Sequence, residues 1–195
     1  MTVLDASGNG LTGTVTGASR VEGQFGRSVF FDGDGDWVTV PDASPLDLTA
    51  GVTLEAWVYR RSQPAGRRTL VAKEATGQRA YFLDAVGPTS DQPTVGVSIA
   101  GVEQMLSGGN ALPQRAWTHV AGTYDGTRLR LYVNGVEVAN RLQSGAIGVS
   151  TGALRFGGNA LASEFFFGRV DEVRIYGRAL SAAEIQADML RAVNP

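Results

Sequence analysis

The sequence predicts an all-β fold: a two-sheet antiparallel β-sandwich of jelly-roll type with one short C-terminal helix. Three observations carry this. Short runs of β-branched and aromatic residues recur at roughly ten-residue spacing. Glycine is abundant, 26 of 195 residues, which suits many tight turns. Only one segment carries a helix start signal.

The strands read in order. Ser28–Phe31 and Trp37–Val40 flank the acidic turn Asp32-Gly33-Asp34-Gly35-Asp36. Thr53–Tyr59 alternates cleanly, and Thr69–Ala72, Ala80–Leu83 and Thr94–Ile99 follow. Trp117–Tyr124 and Arg128–Val133 are joined by Asp125-Gly126, and Asn134-Gly135 turns the chain into Val136–Val138. Leu154–Gly157 and a strand through Asp171 close the series. Ser181 with Glu184 three residues on forms a capping box, and Ile185, Met189 and Leu190 give the helix its apolar side. No linker, composition break or internal repeat divides the chain, so one domain spanning 1–195 is expected.

Composition excludes several functions. The net charge of −2 gives no global drive toward nucleic acid. With no cysteine there are no disulfides, thiolate metal sites or cysteine nucleophile. No run reaches the length of a membrane-spanning helix, so membrane insertion is not expected. The single histidine, His119, has no companion with metal-ligand or triad spacing and reads as a strand residue hydrogen-bonded in the sheet. Trp57 and Trp117 are expected to fill the core, Trp37 is ambiguous, and Phe165–Phe167 reads as a strand buried on both faces. No strand carries the paired carboxylates of a glycosidase, so no catalytic residue is assigned.

Strict alternation places Asp171 on one face with Val173 and Ile175. A carboxylate there needs compensation, by a bound cation or by an arginine such as Arg169 or Arg27. Basic residues cluster elsewhere. Arg60, Arg61, Arg67, Arg68, Lys73 and Arg79 place 6 of the 17 Lys+Arg within 20 residues. Arg61, Arg67, Arg68 and Arg79 are the candidate ligand-binding residues, because arginine forks suit carboxylate or sulfate groups and the loop 61–68 would lie at a rim of the sandwich. The segments 87–93 and 103–115, with Gln104, Asn110 and Gln114, offer further hydrogen-bonding loops.

Several segments together resemble the laminin-G-like jelly rolls of the concanavalin A-like lectin/glucanase superfamily. They are Leu4-Asp5-Ala6-Ser7-Gly8-Asn9-Gly10-Leu11, Phe31-Asp32-Gly33 with Trp37-Val38, and Thr53–Val58. Trp117–Gly126, Leu131–Gly135, Leu154–Gly158 and the Asp171 segment through Ile185 complete them. The resemblance implies a concanavalin A-like sandwich and, often, a structural calcium ion. Calcium takes six to eight oxygen ligands. Asp5, Asn9, Asp32, Gly33 through its carbonyl, and Asp171 are the candidate ligands, if the first and last strands lie side by side. The resemblance also implies a module of a larger secreted or cell-surface protein whose partner is a glycan or an extracellular protein. The leading expectation is a non-catalytic, calcium-stabilised carbohydrate-binding module, suited to acidic polysaccharide. The alternatives are an adhesion module with no sugar site and a glycan-cleaving enzyme.

Overall fold

The computed structural model describes residues 1–62 and 65–193. Strands are numbered in chain order. The first sheet runs, in space, β1 (Thr2–Val3), β2 (Gly13–Thr16), β5 (Trp37–Val40), β14 (Leu154–Phe156), β7 (Arg68–Ala75), β8 (Gln78–Val86), β9 (Thr94–Ile99) and β10 (Val102–Ser107). The second runs β13 (Val136–Leu142), β12 (Arg128–Val133), β11 (Trp117–Tyr124), β6 (Val52–Arg60), β15 (Phe167–Tyr176), β4 (Arg27–Asp32) and β3 (Ser19–Glu22). All pairings between named strands are antiparallel. The result is a β-sandwich of jelly-roll type. Among the described residues no helix is long and apolar enough to cross a membrane.

Side-chain alternation builds the core. Leu54, Ala56 and Val58 of β6 and Val120 of β11 face Leu83 of β8 and Val95 and Val97 of β9 across the sandwich. Two hairpins follow from turn chemistry. Asn134 and Gly135 both have positive φ, 49° and 74°, and Val133 pairs with Val136 across them. Asp125 binds the amides of Thr127 and Arg128 and so closes the turn between β11 and β12.

The helix α1 (Ala182–Asp188) has the expected capping box, with Ser181 and Glu184 bonded reciprocally. Ile185 is buried with Ala121, Tyr132 and Leu180 on the outer face of the second sheet, whereas Leu190 is exposed. Beyond the helix, residues 189–193 continue over the same face. Trp57 Nε1 donates to the Met189 carbonyl at 3.1 Å, and Arg174 donates to that of Arg191.

Four expectations change. Trp57 and Trp117 lie on this outer face rather than in the core, because Ala56 and Val58 take the inward positions of β6 and Trp57 and Tyr59 pair outward with His119 and Trp117. Only Phe166 of the three consecutive phenylalanines is fully buried. Phe165 packs on Trp37 in the loop before β15, and Phe167 packs on Phe30. The first part of segment 103–115 is not a loop, since β10 extends to Ser107.

The fourth change concerns Asp171. A bulge interrupts β15 between Asp171 and Arg174, with Glu172 in the left-handed region at φ 51°. The extra residue restarts the alternation. Val170, Val173 and Ile175 all reach the core, and Asp171 faces away from it.

Candidate functional site

The outer face of the first sheet carries a polar cleft. Its floor is Phe82 of β8, fully buried, with the Arg79 guanidinium stacked 3.4 Å above the ring centroid and Arg67 at 5.4 Å. Segment 157–166 lies across this face. It is tied down by the Thr69 amide to the Glu164 carbonyl at 3.1 Å, the Gly157 amide to the Leu70 carbonyl at 3.0 Å, and the Ala160 amide to Glu74 at 2.6 Å. Between that segment, β8 and β10 opens a cleft of about 320 Å³, lined by Arg67, Gln78, Arg79, Glu103, Asn159 and Glu164 among others. A neighbouring hollow of about 580 Å³ shares Gln78 and Leu161 with it and adds Glu74, Thr76 and Ser150–Gly152.

Charge in the cleft is balanced within the protein. Arg79, 2% exposed, contacts both oxygens of Asp84 at 3.2 and 3.1 Å and both oxygens of Glu103 at 3.0 and 2.8 Å. Arg67 lies 3.4 Å from Asp84, 3.5 Å from Glu103 and 3.7 Å from Glu164. Asn159 donates to Thr69 and Glu164. Burial holds the fully enclosed Asp84 carboxyl above the usual carboxylate range, against the opposing pull of Arg79. The cleft therefore offers the Arg67 guanidinium and the Gln78 amide beside the Glu103 and Glu164 carboxylates, over a buried and fully bonded Arg79 and Asn159, with no surplus of positive charge.

Of the four candidate arginines, the structure brings Arg67 and Arg79 together here. Arg68 turns back on its loop, donating to the carbonyls of Arg67 and Ala65. Arg61 stacks over Phe30 and Phe167 of the second sheet at 5.2 and 5.5 Å. Gln63 and Pro64 of the same loop lie outside the described residues. The expected basic rim is thus two separate places. Sequence reasoning missed Asp84, Glu103, Asn159 and Glu164. An aspartate inside the apolar run Ala80–Val86 was the available signal.

The candidate calcium ligands do not converge. Asp5 folds into its own loop, accepting from the Ser7 amide and hydroxyl and the Leu11 amide. Asn9 donates to the Ser7 hydroxyl. That loop leaves β1 beside Gly13, at the Val40 end of the β2–β5 pair, whereas the acidic turn precedes Trp37 at the other end. Asp32 accepts from the Asp34 amide and donates its own amide to Asp36, and Gly33 packs against Phe167. Asp171 lies four residues beyond Phe167, the strand partner of Asp32, which is ~13 Å of strand. Its oxygens accept the amides of Phe25 and Glu172 at 3.0 Å each. Gly23 is required beside it, since a Cβ there would meet the carboxylate and the Ser28 amide. Among the described residues no group of three or more His, Asp or Glu could hold a metal ion. These residues do not fit a single calcium site.

A second polar layer lies under α1 on the other sheet. Glu55 and His119 are fully buried, 3.9 Å apart, and neither the carboxylate oxygens nor the ring nitrogens make a well-formed hydrogen bond to the described residues. What the strand does hold by hydrogen bond is the His119 amide, which donates to Asn134 at 2.9 Å. Burial first, then Asp188, pushes the Glu55 carboxyl up to about 8; burial, then Arg174, pulls His119 down to about 4.

Fold and cleft define a class: a jelly-roll sandwich presenting a polar concavity on one sheet. A family model described as the concanavalin A-like lectin/glucanases superfamily, of laminin-G type, matches residues 32–186, and the chain belongs to that family. No curated protein matches the chain. Among solved structures it is similar to the binding domain of Paraclostridial Mosquitocidal Protein 1, with a TM-score of 0.77 and 16% identity over 94% of this chain and 48% of that one. The chain thus spans about half the length of that domain. It is also similar to domain 4 of AbnA, an extracellular GH43 arabinanase from Geobacillus stearothermophilus in complex with arabinotriose. There the TM-score is 0.72 and identity 19%, over 93% of this chain and 90% of that one. A sialidase from Trypanosoma rangeli, in complex with the inhibitor DANA, aligns with a TM-score of 0.66 and 19% identity over 91% of this chain and 29% of that one. At these identities the likeness shows the fold.

Proposed function

We infer that the protein is a non-catalytic carbohydrate-binding module, and that it takes a neutral oligosaccharide in the cleft over Phe82. The carrying observation is the pairing of donors with carboxylate acceptors around one concavity: Arg67 and Gln78 beside Glu103 and Glu164, held in place by the buried Arg79 and Asn159. A sugar hydroxyl both donates and accepts, so such a mixed lining suits vicinal hydroxyls. An acidic polysaccharide would need an unopposed cation, and Arg67 and Arg79 already face three carboxylates. The arabinotriose complex of the AbnA domain supports a sugar ligand, and the extracellular origin of that enzyme supports an extracellular or cell-surface setting as part of a larger chain.

Catalysis is not part of this reading. The carboxyl raised by burial, Asp84, lies beneath the two guanidiniums with no exposed surface, so it cannot reach a glycosidic oxygen.

A glycan array followed by calorimetric titration tests the reading. Arabinotriose and other neutral oligosaccharides are the first probes, with sulfated and uronic-acid polymers beside them. Binding is expected to fall at least tenfold in Glu103→Gln, measured well below a melting temperature that itself falls by a few degrees because Glu103 pairs with the buried Arg79. No reducing ends should be released. Selective binding of sulfated polymers would overturn the neutral-sugar assignment. Failure of every glycan would favour a protein partner.

A further inference from the structure

Lys73 is the odd residue of the core. It sits on β7 between strand partners Tyr81 and Leu154, both core residues, and is 1% exposed. Its ammonium reaches one end of the sandwich and meets three oxygens from two distant segments. One is the Asp42 carboxylate. The others are the carbonyls of Ser150 at 2.9 Å and Gly152 at 2.5 Å. An ammonium has three protons, so this set satisfies it completely. A divalent ion would want about six to eight oxygens.

The surroundings are built for a positive charge. Asp47 lies in the same segment as Asp42, and its Oδ1 is buried without a hydrogen-bond partner among the described residues. Both aspartates act on the buried Tyr81 hydroxyl, which donates to the Leu46 carbonyl at 3.0 Å and is held far above its ordinary pKa by burial first. The segment around residue 150 is fastened to the next residue of β7 as well. Ser150 donates to the Glu74 carbonyl at 2.6 Å, and the Glu74 amide donates to Ala153 at 2.9 Å. Lys73 therefore joins chain 31 residues before it to chain 77 and 79 residues after it. Oxygen-bound cations make such cross-links between loops, and the acidic residues nominated for calcium do not assemble into one.

We propose that the Lys73 ammonium is the resident cation of this sandwich, occupying an oxygen cage that stands in for a structural metal, and that the folded protein needs no divalent ion. Removing the ammonium leaves the Ser150 and Gly152 carbonyls without their donor, and removing Asp42 leaves a buried charge without its counter-ion; both are destabilising.

Thermal melts of the wild-type chain in EDTA and in millimolar calcium are expected to coincide within a degree, since no ion binds the folded state selectively. Lys73→Met keeps most of the hydrocarbon and removes the charge; it should lower the melting temperature by roughly 10 °C. Lys73→Ala leaves room for a replacement, and n-propylammonium, which restores the missing atoms, should recover part of its loss. A wild-type melting temperature that climbs by several degrees with calcium overturns the proposal, as does a Lys73→Met protein as stable as the wild type. Should the Lys73 variants fail to fold, Asp42→Asn carries the same reading at a partly exposed position: a clear loss that calcium does not change supports the cage, and no loss overturns it.

Discussion

Replacing Arg79 with methionine isolates what holds the cleft together. The guanidinium lies under the surface, bonds Asp84 twice and Glu103 twice, and covers the Phe82 ring. Arg79→Met keeps the aliphatic stem but strips Asp84 of its nearest donor, leaving Arg67 at 3.4 Å. Removing one partner of a buried pair costs about 3–5 kcal/mol. The surviving Arg67 contact argues for the low end, about 3 kcal/mol, which is roughly 9 °C for a domain of this size. Urea denaturation and calorimetry read it. The sign of the pH dependence is an internal check. Without Arg79 the folded Asp84 pKa rises further above its unfolded value, so stability is retained at low pH and lost as pH rises. The deficit of Arg79→Met should therefore be smaller at pH 5 than at pH 9, and Asp84→Asn placed in the same chain should recover most of it. A variant that melts within 2 °C of wild type, or a double variant with no recovery, would refute the view that these charges form one coupled unit.

Two other predictions concern the opposite sheet. Burial pushes the Glu55 carboxyl up to about 8 from its ordinary 4.5, so its contribution to stability is complete below about 4.5 and fades as pH rises toward 8; His119, pulled down to about 4 from 6.5, contributes above 6.5 and fades as pH falls toward 4. The two slopes cancel between about 4.5 and 6.5, so stability should hold a plateau there and fall above 6.5 by at most about 1.4 kcal/mol per pH unit; Glu55→Gln should flatten that alkaline limb in a pH series of urea melts. Ser181→Ala removes the cap of α1 and should cost about 1 kcal/mol, with faster amide hydrogen exchange across 182–193 and no change in β8.

The fold was readable because its signals are local. Asn134-Gly135, the Ser181–Glu184 box and the alternation of Thr53–Tyr59 each act within a few residues, and each appears in the structure. Faces were harder. The outer side of β6 carries two large aromatic residues, Trp57 and Tyr59, so its tryptophan could be placed in either layer, and the helix that covers it comes 125 residues later. The bulge at Glu172 left no mark, because a glutamate at positive φ resembles any other glutamate. The cleft was half visible. Arg67 and Arg79 stood out as charge, but their partners come from β8, β10 and a segment about ninety residues downstream, and only the pairing order of the strands brings these together. The absent convergence of Asp5, Asp32 and Asp171 has the same origin, since Asp32 and Asp171 sit at opposite ends of the β4–β15 pair and Asp5 follows β1 in the other sheet.

The segment 189–193 rests on the sheet that faces away from the cleft. An anchor attached beyond residue 193 would hold the molecule by its back. Sensor chips or beads loaded through that terminus should leave the proposed binding cleft turned toward the solution, while coupling through Gln78, in its wall, should block it.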